Sequence, residues 1–264
     1  MPGRHYICDM DMEFSEAEIQ RYSRHILLGE VGGVGQAKLR AASVLVIGAG
    51  GLGSPLALYL AAAGVGRIGI VDGDVVELSN LQRQIAHGMG DLGRRKADSA
   101  ADAVRGINPD VVIDVHPVRL GHENVAALVG GYDIVCDGSD NFPTRFLVAD
   151  ACVAAKRTLV SAAVLRFEGQ LSTFKPHAGG PCYRCLYPEA PPDGMVPSCG
   201  EAGVLGSVTG VMGTLQATEV LKEILEIGEG LSGRLLVWDA LSVLFRTMSF
   251  KRDPTCSVCG PSHG

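Results

Sequence analysis

No stretch of this sequence is apolar for long enough to cross a bilayer. The most apolar segment, residues 43 to 71, is broken by Gly48, Gly50, Gly51, Gly53, Pro55, Gly64, Gly66 and Arg67, whereas a spanning helix needs about 20 consecutive, mostly apolar residues. A secretory signal is also missing. Met1 to Phe14 carries Asp9, Asp11 and Glu13 and has neither a basic start nor an apolar h-region, so a cytoplasmic location and no membrane partner are expected. Basic excess is absent too: the net charge of −6 leaves no electrostatic footprint for nucleic acid. The local cluster Arg94-Arg95-Lys96 is therefore read as serving a smaller anion. Neither an internal repeat nor a low-complexity tract interrupts the chain.

What is present begins with size. At 264 residues, 47% hydrophobic and 20% charged, the chain can bury a substantial core. Eight cysteines in a reducing compartment are better explained by metal binding and chemistry than by disulfides. Four of them form two Cys-x-x-Cys units, Cys182/Cys185 and Cys256/Cys259. A two-residue spacer lets one tight turn supply two sulfurs, so two such turns complete a tetrahedral thiolate site, the pattern of structural Zn²⁺. The alternative is two unrelated redox or buried pairs. A redox pair usually opens a helix after a strand, whereas these lie in Pro- and Gly-flanked turns.

Ser15-Glu16-Ala17-Glu18 has the form of a capping box and predicts a helix over about 15–28. Ser43 to Ile47 reads as a buried parallel strand, Gly48-Ala49-Gly50-Gly51-Leu52-Gly53 as a tight turn, Leu56 to Ala63 as the helix it launches, and Arg67 to Val71 as the next strand. Further helices are predicted near 94–107, 122–129 and 143–156, with strands at 111–115, 133–136 and 158–161. This alternation implies an α/β fold: a doubly wound, Rossmann-like, mainly parallel sheet with helices on both faces. From residue 169 the pattern changes to longer strands, Gly169 to Phe174 and Gly233 to Phe250, separated by a small-residue helix near 204–225. Tyr187 to Ala202, with Pro188, Pro191, Pro192 and Pro197, reads as a crossover loop. The expected organisation is a flexible N-terminus over 1–14, a nucleotide-binding part over 15–168, an antiparallel zinc-stapled part over 169–260 and a tail over 261–264.

The glycine loop alone would be weak evidence for a nucleotide, since glycines also serve tight turns. Here it follows a strand and opens a helix, and Asp72, 24 residues after Gly48, ends the next strand where a carboxylate can bind ribose hydroxyls. Dinucleotide and ATP both remain open on this ground. A triphosphate needs additional cations because the departing pyrophosphate gathers charge. Asn80, Arg83 and Lys96 fit that need, although each alone could be a solvated polar side chain. Asp140, ahead of Asn141, is either a functional carboxylate or a helix N-cap.

The run Arg21-Tyr-Ser-Arg24-His, the glycine loop, Ser79-Asn-Leu-Gln-Arg-Gln84, Gly138-Ser-Asp140-Asn141, Pro181-Cys-Tyr-Arg-Cys185 and Cys256-Ser-Val-Cys259-Gly260 together resemble the ThiF/MoeB/HesA family. These are bacterial relatives of the ubiquitin-activating enzymes that adenylate small sulfur-carrier proteins. The resemblance spans about residues 15 to 260. It implies an ATP-dependent adenylyltransferase acting on the Gly-Gly carboxylate of a ubiquitin-like carrier. Gly48, Gly50, Gly51 and Gly53 would let the backbone approach ATP, and Asp72 would hold the ribose. Asn80, Arg83 and Lys96 would contact phosphates, and Asp140 would hold Mg²⁺. Arg24 would reach into the partner subunit's site, which makes a homodimer part of the mechanism. Cys199 matches the family's conjugating or sulfur-transfer cysteine; the alternative is an ordinary loop thiol. With the chain ending at Gly264, no fused rhodanese-type domain is expected, so the sulfur donor would be a separate species. Two other functions use parts of the same pattern: an NAD(P)-dependent oxidoreductase and a non-catalytic carrier-binding module.

Overall fold

Short β-branched runs alternate with helices to build one eight-stranded sheet among the described residues, which in this computed structural model are 13–192, 195 and 202–260. The strands are β1 (Ser43–Ile47), β2 (Arg67–Val71), β3 (Val112–His116), β4 (Ile134–Asp137), β5 (Thr158–Leu165), β6 (Glu168–Phe174), β7 (Arg234–Asp239) and β8 (Leu244–Ser249). Their order across the sheet is β3-β2-β1-β4-β5-β6-β7-β8. The first five are parallel and the last three pair antiparallel.

The parallel strands are apolar on both sides because helices cover both faces. Val44, Val46, Ile68 and Ile70 point into one core with α3 (Gly53–Ala63), α4 (Lys96–Ile107) and α8 (Gly206–Leu225), while the alternating Leu45, Ile47 and Val71 join the other core with α5 (Val125–Gly130) and α6 (Phe142–Ala154). A slip of one residue would exchange the two sets, so burial on both faces fixes the register. Residue types set the helix starts as well. Ser15 caps α1 (Glu16–Ile26) with the expected reciprocal bonds to Glu18. Gly64 in the left-handed conformation closes α3.

The expected fold class is the observed one, with several local corrections. The glycine-rich segment 29–41 carries a helix that the sequence pattern did not signal, α2 (Gly32–Ala41). Glycine there serves close packing: a Cβ on Gly35 would stand 2.9 Å from Leu225 of α8. α3 starts at Gly53 rather than Leu56, and α4 starts at Lys96, leaving Arg94 and Arg95 outside it. β5 runs on to Leu165 because it forms a hairpin with β6. The segment 233–250 is two strands, β7 and β8, and Cys182 caps a four-residue helix, α7 (Tyr183–Leu186). No helix among the described residues is long and apolar enough to cross a membrane.

Candidate active site

In the strand order, β1 and β4 are neighbours whose chains leave in opposite directions, and a crevice opens beyond the C-terminal ends of strands at such a reversal. A cavity of about 460 Å³ lies there, lined by the β1–α3 loop, the end of β2, Arg83, Gln84, Lys96, Val118 to Leu120, Gly138 to Asn141, Thr144 and Arg145. Its floor depends on two glycines. Gly48 has φ +87°, and a Cβ on Gly53 would stand 1.8 Å from the Gly48 carbonyl oxygen, so neither position accepts a side chain without moving backbone. Gly50 and Gly51 also line the cavity, whereas Gly53, the first residue of α3, does not.

Asp72 ends β2 on the cavity wall. One carboxylate oxygen accepts the Ala49 N–H at 2.8 Å and the other the Asp74 N–H at 2.9 Å. Each oxygen keeps a second lone pair for a hydroxyl. Arg83 also lines the cavity and donates to the Ser79 carbonyl at 3.1 Å. Lys96 is 8% exposed and opens α4, with its ammonium 3.3 Å from Asp74. Its neighbours in the basic cluster do not share this position. Arg94 pairs with Asp91 and Asp102, which hold its guanidinium pKa above the ordinary value, and it is absent from the lining.

Asp140 is exposed and lines the cavity. The N-cap alternative is corrected here: Asn141 is the cap of α6, its side chain accepting the Thr144 N–H at 2.9 Å. The carboxylate one residue earlier is thereby left for the cavity. The turn that carries it is held from below. Asp137, fully buried at the end of β4, accepts from the Ser139 N–H and both the Ser139 and Ser161 hydroxyls, while Arg145 donates twice to the Ser139 carbonyl. Asp137 and Arg145 were not singled out from sequence. An Asp ending β4 as Asp72 ends β2 was the available signal.

Two further expected residues are absent from the lining. Asn80 is buried, is not in the lining, and accepts the Glu77 N–H at 3.1 Å. Arg24 is exposed in the last turn of α1 and is likewise absent from the lining. Cys199 lies outside the described residues. Asp74, Gln84, Arg119, Ser139 and Thr209 line the cavity without having been expected there. Buried Gln84 presents a side-chain oxygen with no hydrogen-bond partner among the described residues.

The four cysteine sulfurs converge. Cys182 lies 3.8 Å from Cys185 and 3.5 Å from Cys256, Cys185 lies 3.5 Å from Cys259, and all four sulfurs fall within 4.8 Å of one another. Tetrahedral Zn²⁺ with sulfurs at about 2.3 Å requires edges of about 3.8 Å. The spacing therefore fits zinc and is far too long for disulfides. Burial pushes the Cys182 and Cys185 thiols up, whereas at Cys256 burial is outweighed by the backbone N–H groups of Cys259 and Val258, which draw the thiol down. A metal taken by all four displaces the remaining protons. Asp253 donates its N–H to the Cys185 sulfur at 3.3 Å.

With this geometry in hand, the ThiF family pattern matches residues 22–258. The chain belongs to the ThiF family. Among ThiF relatives, the SAMP-activating enzyme E1 of Haloferax volcanii is 50% identical over 251 residues, spanning 95% of this chain and 92% of that protein. The sulfur carrier protein adenylyltransferase of Thermus thermophilus is 49% identical over 253 residues, spanning 94% of this chain and 93% of that protein. Some relatives are longer, and the chain spans 54% of one from Bos taurus. The fold matches E. coli MccB crystallised with MccA-N7isoASN, with a TM-score of 0.82 at 24% identity over 94% of this chain and 76% of that one.

Proposed function

We propose that this ThiF-family chain is an ATP-dependent adenylyltransferase that activates the C-terminal Gly-Gly carboxylate of a small ubiquitin-like sulfur-carrier protein. The observation that carries this reading is one cavity holding a glycine-loop floor, a ribose-competent carboxylate at Asp72, the cations Arg83 and Lys96, and the uncapped carboxylate of Asp140. The carrier carboxylate is already ionised at neutral pH and needs no general base. A carboxylate oxygen bonds to the α-phosphorus, the α–β P–O bond breaks, and pyrophosphate leaves with the electron pair. The barrier is charge repulsion between two anions, so positioning and neutralisation by Arg83, Lys96 and Arg24 lower it. Asp140 has the hard oxygen ligand that Mg²⁺ takes, and Mg²⁺ when bound would neutralise phosphate charge. An oxidoreductase would leave Arg83, Lys96 and Asp140 without a task.

In this reading, Arg24 completes the partner subunit's site in a homodimer, which accounts for its exposure on α1 away from its own cavity. Residues 15–168 carry most of the nucleotide site, whose lining Val204 and Thr209 complete, and 169–260 receive the carrier. Edge strand β8 supports the second assignment, since Leu244, Phe245 and Met248 are exposed beside Arg246. The cysteine cluster holds structural Zn²⁺, four sulfurs leaving no open position for water. Cys199 would take part in the later sulfur transfer, with sulfur from a separate donor, and the cytoplasm is the expected location.

The test is incubation of the protein with ATP, Mg²⁺ and candidate carriers ending in Gly-Gly, followed by mass spectrometry and pyrophosphate exchange. A carrier mass increased by an adenylate, with exchange dependent on the carrier, is the expected result. Exchange without any carrier response, or binding of NAD in preference to ATP, would overturn it.

A further inference from the structure

His87 is buried in the loop after Arg83 and touches two parts of the cavity's scaffold. One ring nitrogen, Nε2, lies 2.9 Å from the Ala49 carbonyl oxygen, and the other, Nδ1, lies 2.9 Å from the Ser99 hydroxyl in the first turns of α4. A carbonyl oxygen only accepts, so Nε2 carries the hydrogen. The other nitrogen, Nδ1, then faces the Ser99 hydroxyl, which the Asp91 carboxylate also engages. One imidazole thereby ties the glycine loop to the segment bearing Arg83 and to the helix that begins at Lys96.

The bond to Ala49 fixes more than a distance. No peptide bond among the described residues is cis, and in a trans peptide the C=O and the following N–H point in opposite directions. Ala49 C=O and Gly50 N–H belong to the same peptide. Anchoring the carbonyl on His87 therefore aims the Gly50 N–H away from His87. Gly50 lines the cavity, and its N–H has no acceptor within the described residues. The preceding peptide is pinned as well, since the Ala49 N–H is donated to Asp72. Both peptide planes around Ala49 are set before any ligand arrives. An unpaired N–H presented by a glycine loop at the start of a helix is a donor for a phosphate oxygen.

We infer that His87 is a positioning residue that orients the Gly50 N–H toward a phosphate of the nucleotide and holds the glycine loop in step with Arg83 and Lys96. The inference rests on the ATP reading of the cavity. The effect is expected at the phosphate more than at the ribose, because Asp72 is also held by the Asp74 N–H, which does not involve the imidazole or Ala49.

The test compares equilibrium binding of ATP and of adenosine to wild type, His87→Gln, His87→Leu and Ser99→Ala, each checked for folding by its thermal midpoint. His87→Leu is expected to weaken ATP at least tenfold while changing adenosine by no more than about twofold, the scale set by loss of one buried hydrogen bond. His87→Gln, whose amide N–H can replace Nε2–H, is expected to restore most of the ATP affinity. Should His87→Leu fail to fold, the Gln and Ser99→Ala proteins carry the same comparison, with Ser99→Ala weakening ATP selectively by a smaller factor. Parallel losses for ATP and adenosine, or variants that bind ATP as wild type does, would overturn the role of His87. Wild type that binds no ATP would instead overturn the adenylation reading, and the two failures are distinct.

Discussion

The Lys96 ammonium stands 3.3 Å from a carboxylate oxygen of Asp74, whose other oxygen lies 3.4 Å from Arg119. All three side chains line the cavity. The lysine is the shielded member, its side chain 10% exposed against 86% for Arg119, so its charge is the less screened by water. Asp74 thus holds the cation on the wall in the absence of ligand, and a phosphate would meet it already in place.

Lys96→Ala is expected to slow ATP–pyrophosphate exchange by about a hundredfold, the loss typical of one preorganised charge-stabilising group. Arg83→Ala should act on the same scale. Exchange at the wild-type rate in either variant would remove that residue from the chemistry.

Asp140 and Asn141 are adjacent, yet the structure separates their roles. Asp140→Ala is expected to abolish exchange with no change in thermal midpoint. Asn141→Ala removes the α6 cap and should cost about 1 kcal/mol of stability, readable by denaturant unfolding. Equal stability losses in both variants would return Asp140 to the helix end.

That pair also marks how far the sequence could be read. The doubly wound order was legible because β1, β2, β4 and β5 are apolar runs between helices, and the zinc cluster because its spacing is local. Which of two adjacent polar residues caps a helix depends on backbone torsions that residue type does not encode. Arg94-Arg95-Lys96 looked like one anion-binding unit, but Asp91 and Asp102 take Arg94 and only Lys96 lines the cavity. α2 was missed because its glycines signal a loop locally and gain their helix from packing against α8. His87 acts through the Ala49 carbonyl, 38 residues away in sequence, and no spacing rule reaches it.

Arg24 is exposed on α1 and absent from its own chain's cavity lining. If it completes the partner's site, Arg24→Ala and Asp140→Ala homodimers should each be nearly inactive. Mixing them should restore exchange in heterodimers that carry one intact composite site. Verified subunit exchange without recovery would count against an active site shared across the dimer.

The cysteine cluster joins the chain just after β6 to the chain just after β8. One zinc per chain is expected by elemental analysis, with all four thiols protected from alkylation in the native protein. Chelation should loosen residues 169–260 before the nucleotide part, seen as earlier hydrogen exchange in β7 and β8, because metal binding energy is folding energy there. Zinc-free protein with four freely alkylated thiols would dismiss the assignment.

The last expectation concerns acid. Burial lowers the His87 pKa below the ordinary imidazole value, opposed by the Ala49 carbonyl and by Asp91 and Asp72, while Lys96 adds to the lowering. The neutral ring is therefore favoured in the folded chain, and the unfolded chain binds the extra proton first as pH falls. Stability that depends on His87 is complete above the unfolded value near 6.5 and is lost as pH drops below it toward the folded value. Wild type should accordingly lose more of its thermal midpoint between pH 7.5 and pH 5.5 than His87→Gln does, the other titrating groups being common to both. A difference between the two proteins that stays constant across this range would show that His87 titrates alike in the folded and unfolded chains.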